Sequence, residues 1–379
     1  MADLSDYRRE IDELDKELVA LFEKRMNVVK KVAQYKKENN LEVFHKDREN
    51  IVFEKAVACL KDKSYTDEVI KFINATMEIG KGVQQRIIDD TEKMTKLDIK
   101  RKEIDKTKLV AYPGVAGAFS EEAAIRVFGE DSKRTAYEDF EDVCNALKEG
   151  KVDYGILPIE NSSTGAISDT YDLLRKYGFF IIGEKCIKIE QNLVGIEGTK
   201  LSDIEEVYSH TQGIRQCSEF LKGNKDWVLI PYHNTAVSAK HVKELNDKSK
   251  VAIASKTAAK LYGLNVIEEG INNQNDNYTR FVAITRKPEV SKDANKVSVV
   301  FSLENEAGTL YRLLSYFAEN NINMIKIESR PMKNESWKYF LYVDFEGDIA
   351  DESVNNALKL IEQNSAYFRL LGAYKKNID

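Results

Sequence analysis

Proline and glycine are almost absent from the first part of the chain. No proline precedes Pro113, and Gly80 and Gly82 are the only glycines before Gly114. These two residue types most strongly interrupt helices and mark the turns that strands need. Their absence therefore predicts an all-helical region over residues 1–93.

Cysteine and histidine are also scarce. The four cysteines, Cys59, Cys144, Cys186 and Cys217, are widely spaced without a C-x-x-C pair, and the four histidines show no metal-ligand spacing. This pattern is typical of reduced, mostly buried thiols in a cytoplasmic protein, and it predicts no metal site.

The sequence contains no apolar run close to the roughly 18–20 residues of a membrane span. Residues 1–15 lack the apolar core of a secretory signal. The net charge of −6 gives no reason to expect nucleic acid or an anionic membrane as a partner. At 379 residues, with 42% hydrophobic and 32% charged residues, we expect two or three soluble domains.

A long amphipathic helix is predicted at the amino terminus. Its apolar face, at spacings of three and four, comprises Leu4, Tyr7, Ile11, Leu14, Leu18, Leu21, Val28, Val32 and Tyr35. Such a helix needs a partner helix, so we expect self-association, as a homodimer or homotetramer. Arg25 interrupts this face, and a charged residue in an apolar seam is costly unless paired. It either binds a ligand, pairs with a core carboxylate, or extends its charge to water.

Further cations follow the same helix. Lys36 lies three turns after Arg25 and nearly on the same face. Arg8 lies seventeen residues before Arg25, about 25 Å away at the α-helical rise. If Arg8 serves the same small-molecule site as Arg25, it must therefore come from another subunit.

Strand-like and helical stretches alternate over residues 108–286, which predicts an α/β fold. Three of the strands end in polar turns, at 155–167 (GILPIENSSTGAI), 207–217 (VYSHTQGIRQC) and 270–284 (GINNQNDNYTRFVAI). Free backbone N–H groups at such turns and helix starts bind anions. We expect one shared cleft at these ends. Ordinary surface loops and helix caps are the alternative.

Four of the motifs in this region together resemble prephenate dehydratase. They are AYPGVAGAFSEEAA at 111–124, PIENS at 158–162, SHTQ at 209–212 and TRF at 279–281. The resemblance implies two lobes around a cleft, similar to a type II periplasmic binding protein. It implies loss of CO₂ and hydroxide from prephenate, with Thr279 as the donor to the leaving oxygen. The substrate-binding residues that it implies are Asn161, Ser162, Ser209, Gln216 and Arg280, the last as a carboxylate or structural anchor.

The helical region resembles the helical chorismate mutases, which implies an intertwined dimer. The residues that match in order and spacing are Arg8, Arg25, Lys36, Arg48, Glu49 and Gln84. The family often has aspartate where this chain has His45 and serine where it has Gly80. Chorismate rearrangement is unimolecular, so it needs a carboxylate clamp and donors to an ether oxygen.

The resemblance assigns these residues to separate tasks. Arg8 from the partner subunit and Arg25 would hold the carboxylates through charge-assisted hydrogen bonds. Lys36 and Gln84 would face the ether oxygen. Glu49 would orient the ring hydroxyl, and Arg48 would support that region.

The last part of the chain, residues 296–376, has the order βαββαβ of an α+β ferredoxin-like domain. NEAGTL at 305–310 and ESRP at 328–331 resemble the signature segments of a phenylalanine-binding ACT regulatory domain. The residues implied in phenylalanine binding are Asn305, Gly308, Thr309, Leu310, Glu328 and Ser329. The alternative is that Gly308 is an ordinary turn glycine and residues 328–331 an exposed strand end. The domain would then serve only in interactions.

The whole chain therefore resembles the bifunctional chorismate mutase–prephenate dehydratases of phenylalanine biosynthesis. We expect a mutase domain over 1–93, a helical tail or linker over 94–107, a dehydratase domain over 108–286 and an ACT domain over 296–376. The implied ligands are chorismate, prephenate and inhibitory L-phenylalanine, without a cofactor. Two alternatives are a prephenate or arogenate dehydratase whose degenerate mutase domain serves dimerisation, and a ligand-binding sensor without catalysis.

Overall fold

A computed structural model describes residues 3–39, 41, 46–89, 101–332, 335 and 337–376. The chain forms two compact units, Met1–Asp98 and Ile99–Asp379. Within the described residues, no helix is both long enough and apolar enough to cross a membrane.

The described part of the first unit is helical, as predicted. It contains α1 (Leu4–Glu38), α2 (Lys46–Cys59), a 3₁₀ turn (Lys63–Tyr65) and α3 (Thr66–Asp89). The Asp3 side chain caps α1 by accepting from the backbone N–H groups of Ser5 and Asp6. Arg25 and Lys37 of α1 reach the carbonyls of Thr76 and Ile87 in α3. Helices α1 and α3 therefore lie side by side and run parallel.

The apolar face of α1 remains exposed in the single chain. Leu21 is 60% and Tyr35 62% exposed, and the face is similarly open from Leu4 onwards. The buried residues of α1 are Met26 and Ala33, on the side that packs against α3. Exposed apolar area costs about 25 cal/mol per Å² relative to burial, so this face is suited to contact with another helix.

The second unit contains seventeen strands and nine further helices among its described residues. They begin with β1 (Arg101–Lys102), β2 (Val110–Pro113), α4 (Phe119–Phe128), β3 (Arg134–Tyr137), α5 (Phe140–Glu149), β4 (Tyr154–Asn161), β5 (Gly165–Ala166), α6 (Ser168–Tyr177) and β6 (Phe180–Lys188). There follow β7 (Asn192–Gly195), a 3₁₀ turn (Leu201–Asp203), β8 (Glu206–Ser209), α7 (Thr211–Gln216), α8 (Ser218–Lys222), β9 (Val228–Pro231), α9 (Thr235–Leu245), β10 (Lys250–Ala254), α10 (Lys256–Tyr262) and β11 (Asn265–Glu268). The last are β12 (Tyr278–Thr285), β13 (Val290–Ser291), β14 (Lys296–Ser302), α11 (Thr309–Glu319), β15 (Met324–Pro331), β16 (Tyr339–Glu346), α12 (Glu352–Gln363) and β17 (Tyr367–Tyr374).

Two of the three sheets form the predicted pair of lobes. Lobe 1 has the strand order β3-β2-β4-β12-β6, and lobe 2 has the order β11-β7-β10-β8-β9. The chain passes between them twice, from β6 to β7 and from β11 back to β12. The two-lobed arrangement expected from the family resemblance is confirmed. Strand β4 (YGILPIEN) is buried along nearly its whole length, because it is a central strand with helices on its sheet.

The third sheet, here called the C-terminal sheet, has the order β1-β13-β17-β14-β16-β15. The predicted βαββαβ unit is confirmed as β14-α11-β15-β16-α12-β17. Strand β1 pairs Arg101 and Lys102 in parallel with Val290 and Ser291. This part of the segment expected as a helical tail or linker is therefore a strand, and residues 94–100 lie outside the described residues.

One hydrophobic core joins the C-terminal sheet to lobe 1. Val300, Tyr342 and Leu371 of that sheet are buried in the same cluster as Leu157 and Leu174 of lobe 1. The helices α11 and α12 cover the opposite face with a separate core. The C-terminal sheet is thus packed on both faces, with one face committed to the α/β lobes.

Candidate functional site

Arg25 lies at the contact between α1 and α3. Its Nη1 donates to the carbonyl of Thr76 at 2.8 Å, and partial burial lowers the pKa of the guanidinium. A methyl group added at Gly80 would lie 3.5 Å from the same nitrogen. Gln84 follows one turn later on α3, with its Nε2 3.5 Å from the carbonyl of Gly80. The structure therefore groups Arg25, Gly80 and Gln84 at the contact between α1 and α3.

The other residues expected in this first site are distributed along the helices. Lys36 lies three turns after Arg25 on α1, and partial burial lowers its pKa. Arg8 is exposed near the start of α1, and Arg48 is exposed on α2. Glu49 lies on α2, but its side chain is outside the described residues, as is His45. Within one chain, the described positions do not bring Arg8 to Arg25.

A cleft of about 700 Å³ lies in the second unit. Its wall is formed by Ser163, Thr164, His210, Thr211, Gln212, Arg215, Gln216, Glu219, Asn272, Asn273, Gln274 and Asn277. All of them except Glu219 come from the three polar strand ends of the α/β region, and each of the three ends contributes. The prediction that the strand ends share one cleft is therefore confirmed.

Asn161 organises the cleft wall from behind. Its Nδ2 lies 2.8 Å from Asn277 Oδ1, 2.9 Å from Thr279 Oγ1 and 3.1 Å from the carbonyl of Tyr278. Its Oδ1 accepts from the backbone N–H groups of Ser163 and Thr164, at 3.1 Å each. One buried amide thus fixes two of the three stretches that form the cleft.

Thr279 is held in a defined orientation by this network. It is 8% exposed and lies opposite Asn161 in the β4–β12 pairing. Because its Oγ1 accepts from Asn161, its own hydroxyl hydrogen is available to another acceptor. Among the described residues, the cleft wall includes Asn277 but not Thr279. Thr279 is connected to that wall through Asn161, which donates to both residues.

The remaining predicted substrate-binding residues occupy different positions. Gln216 lines the cleft. Ser162 fastens the β4 turn to the start of β12, since its hydroxyl accepts from the Tyr278 N–H at 2.9 Å. Ser209 is fully buried and donates to the carbonyl of Ile253 at 3.1 Å, inside lobe 2.

Arg280 points away from the cleft, to the side opposite Thr279. It contacts three carboxylates: Glu160 at 3.1 Å, Glu184 at 3.0 Å and Asp344 at 2.8 Å. Burial opposes its charge, but Asp344 and the other carboxylates outweigh burial and raise the pKa of Arg280. Of the two roles predicted for Arg280, its contacts favour the structural anchor over direct binding of substrate.

His210, Arg215 and Glu219 line the cleft, although none was predicted as a site residue. His210 caps α7, with Nδ1 accepting from the Gln212 N–H at 3.2 Å. Burial lowers its pKa, so the imidazole is neutral at pH 7 and presents its other nitrogen as N–H. Arg215 could have been found from the sequence, because it lies in the stretch 207–217 already selected, whereas Glu219 lies just beyond that stretch on α8.

The motif at 111–124 forms a contact between the lobes. Its loop carries Gly117, whose positive φ of 86° and close approach to Ala258 leave little room for a side chain. Tyr262 of lobe 2 donates to the carbonyl of Ala116 at 2.7 Å. Across the cleft, Gln212 Nε2 lies 3.1 Å from Thr164 Oγ1. The conformation described is therefore one in which the lobes touch on both sides.

Known proteins match this architecture along its whole length. Models of chorismate mutase type II, prephenate dehydratase and the ACT domain match residues 7–85, 110–289 and 297–361. A bifunctional chorismate mutase/prephenate dehydratase of Aquifex aeolicus is 30% identical over 378 residues, which is 99% of each chain. The chain belongs to the bifunctional chorismate mutase/prephenate dehydratases. It carries both enzymatic activities and an amino-acid-binding regulatory domain.

Two further similarities concern the second unit of this bifunctional enzyme. An arogenate dehydratase/prephenate dehydratase 2 of Arabidopsis thaliana is 37% identical over 276 residues, 70% of this chain and 72% of that protein. A solved prephenate dehydratase of Arthrobacter aurescens, in complex with L-Phe, is 30% identical. It covers 71% of this chain and 90% of its own, with a TM-score of 0.65.

Four of the six residues expected to bind phenylalanine are exposed in the ACT region. Gly308, with a positive φ of 83° and open space around it, precedes α11, and Asn305 and Leu310 are exposed beside it. Thr309 donates to the carbonyl of Glu306 at 2.9 Å. Ser329 is exposed on edge strand β15, whereas Glu328 pairs with Tyr342 on the face towards lobe 1.

Proposed function

We propose that the enzyme makes phenylpyruvate from chorismate in two steps and that L-phenylalanine inhibits the second step. The single observation that carries the proposal is the hydrogen bond of 2.9 Å from Asn161 to Thr279 behind the polar cleft. It leaves an oriented hydroxyl donor beside a cleft lined mostly by amides and hydroxyls, together with His210, Arg215 and Glu219.

In the first step, the helical region would hold chorismate while its ether bond breaks and its new carbon–carbon bond forms. Arg25 and a partner subunit's copy of Arg8 would bind the two carboxylates. Lys36 and Gln84 would donate to the ether oxygen as it gains negative charge. The buried Oε1 of Gln84 has no hydrogen-bond partner among the described residues, which leaves an acceptor for a ligand hydroxyl. Donation to the ether oxygen would come from the Nε2 of the same amide.

In the second step, the carboxylate on the prephenate ring leaves as CO₂, and its bonding electrons enter the ring. The carbon–oxygen bond then breaks and the hydroxyl departs, so that an aromatic ring remains. Thr279 would donate a hydrogen bond to the departing oxygen, with Asn161 holding it in place. Arg215 and His210 supply polar contacts for the carboxylate of the side chain, and Gln216 lines the same cleft.

A homodimer, or a tetramer built from it, is supported by the exposed apolar face of α1. A second α1 packed on this face would bury residues from Leu4 to Tyr35 and could bring Arg8 to the partner's Arg25. The cytoplasm is the expected compartment, since none of the four cysteines, all in the described part of the chain, forms a disulfide, and two of them, Cys144 and Cys217, are buried.

The proposal is tested by supplying the purified full chain with chorismate, prephenate or arogenate. We expect chorismate to disappear and phenylpyruvate to form, more slowly when L-phenylalanine is present. If arogenate yields phenylalanine faster than prephenate yields phenylpyruvate, the assigned second substrate is wrong. If supplied prephenate reacts but chorismate does not, the mutase region serves dimerisation only.

Binding of L-phenylalanine is measured separately by calorimetry. Coupling between two binding sites is reciprocal. L-phenylalanine should therefore weaken binding of a prephenate analogue by the same factor by which the analogue weakens binding of L-phenylalanine. Binding without any effect on the analogue or on turnover would contradict a regulatory role.

A further inference from the structure

A set of buried and partly buried charges links the cleft to the C-terminal sheet. We propose that these six residues, here called the charge cluster, transmit the inhibitory signal from the C-terminal sheet to the dehydratase site. They are Glu160, Glu184, Arg280, Lys296, Lys326 and Asp344. The inference rests on the proposed function, namely that L-phenylalanine bound to the C-terminal sheet inhibits the dehydratase.

The contacts in the charge cluster are short, and four of its six side chains are at most 10% exposed. Arg280 contacts Asp344 at 2.8 Å, Lys296 contacts Glu184 at 2.7 Å, and Lys326 contacts Glu160 at 2.8 Å. Side-chain exposure ranges from 1% at Glu184 to 33% at Glu160. The cluster contains three cations and three anions, so its formal charge is zero. Loss of one contact in the cluster would leave an unpaired buried charge, which is costly. The cluster therefore restricts independent movement of lobe 1 and the C-terminal sheet.

The cluster adjoins the catalytic strands directly. Thr279 pairs with Asn161 across β12 and β4, and the next pair along is Arg280 with Glu160. Successive side chains on a strand point to opposite faces. The donor pair faces the cleft and the charged pair faces the C-terminal sheet, with only one peptide unit between them on each strand.

The cluster also adjoins the region expected to bind phenylalanine. Lys326 lies on β15 three residues before Ser329, and Asp344 pairs with Lys326 on the neighbouring strand β16. Ser298 on β14 donates to Asp344 at 2.6 Å and continues the connection across the sheet. A displacement of β15 by a ligand at Ser329 would therefore act on Lys326, Glu160 and then Asn161 through contacts already present.

The structure offers a matched control at the same interface. Arg330 of β15 contacts Asp172 of α6 at 3.4 Å, which is another ion pair between the C-terminal sheet and lobe 1. It lies outside the charge cluster and adjoins neither Asn161 nor Thr279 in sequence. Removing the Arg330–Asp172 ion pair weakens the interface between the C-terminal sheet and lobe 1 without interrupting the connection from Lys326 through Glu160 to Asn161.

The experiment compares the parent with Asp344→Asn, Lys326→Gln and the control Asp172→Asn, all in the full chain. For each, calorimetry gives L-phenylalanine affinity, and kinetics give dehydratase kcat/KM without and with saturating L-phenylalanine. The ratio of these two kcat/KM values measures the inhibition. Allosteric coupling commonly amounts to about 5- to 150-fold. We expect Asp344→Asn and Lys326→Gln to lower the parent's ratio at least about threefold while L-phenylalanine still binds, and Asp172→Asn to keep it.

The outcomes separate the two proposals. If the parent neither binds L-phenylalanine nor is inhibited by it, the proposed function fails. If the parent is inhibited and both cluster variants keep its ratio, the charge cluster does not transmit the signal. If Asp172→Asn loses as much inhibition as they do, the coupling belongs to the whole interface, and the inference is overturned. Should Asp344→Asn fail to fold, the more exposed Lys326→Gln decides the result by itself.

Discussion

Gly80 permits a sharp test of the α1–α3 site, because this chain has glycine where related mutases often have serine. Gly80 lies inside α3, where glycine is about 0.8–1.0 kcal/mol less favourable than alanine and serine is intermediate. A methyl group at this position would meet Arg25 Nη1 and Val29 Cγ2 at 3.5 Å each, which is ordinary contact. Gly80→Ala should therefore stabilise the helical unit by about 0.8–1.0 kcal/mol, and Gly80→Ser by about half as much.

The two variants should differ in mutase activity. Serine would place a hydroxyl beside the guanidinium of Arg25, within reach of a bound substrate. One additional hydrogen bond is worth about 0.5–1.5 kcal/mol, so kcat/KM for chorismate should rise about 2- to 10-fold. Gly80→Ala has the same helical effect without the hydroxyl, and it should leave kcat/KM within about twofold of the parent.

Stability would be measured by urea unfolding followed through the helical signal, at one fixed protein concentration because association affects it. Activity would be measured as the disappearance of chorismate. A loss of stability in Gly80→Ala would show that α1 and α3 pack more tightly than described. Equal mutase activity in the serine and alanine variants would refute the placement of Gly80 next to the substrate.

Three further predictions concern the roles assigned to single residues. Thr279→Val should lower the dehydratase kcat by about 100-fold or more, whereas Thr279→Ser should keep most of it, as measured by phenylpyruvate formation from prephenate. Arg25→Ala should lower mutase activity by about 100-fold or more and leave dehydratase activity on supplied prephenate unchanged, since the two regions form separate sites; equal loss of both would indicate misfolding. Because partial burial lowers the pKa of Lys36 from 10.5, mutase kcat/KM should fall as pH rises towards that value, and Lys36→Arg should move this decline to higher pH in a pH–rate profile.

The architecture could be predicted from the sequence because its determinants are local. The missing turn residues predicted the helical unit, and the polar ends of buried strands predicted the cleft. Short or polar elements carry a weaker signal in the sequence: β3 (RTAY) and β11 are partly exposed, and β7 is a four-residue strand with a terminal glycine. Strand β1 (RK) has no apolar signal, because it exists only by pairing with β13.

The positions of individual site residues could be predicted less well than the cleft itself. Ser209 belongs to a cleft-forming stretch, but its side chain turns inward to the carbonyl of Ile253. Asn161 was expected to contact substrate, yet all of its hydrogen-bonding atoms are engaged in shaping the wall. A motif identifies the neighbourhood of a site, whereas the direction of each side chain depends on strand register, which tertiary pairing determines.

Arg280 shows most clearly what sequence could not provide. As part of TRF it follows directly after the proposed donor, which makes a second substrate contact the natural expectation. The alternation of the strand instead directs it to Glu184 and Asp344, which are distant in sequence. Asp344 belongs to the regulatory region. Its desolvation would raise its pKa, but the charges of Arg280 and Lys296 outweigh desolvation and lower that pKa. Its stabilising contribution is therefore complete above its ordinary pKa of 3.8 and is lost only as pH falls below that value. Acid should therefore weaken the attachment of the C-terminal sheet to lobe 1, while the hydrophobic core that they share does not titrate.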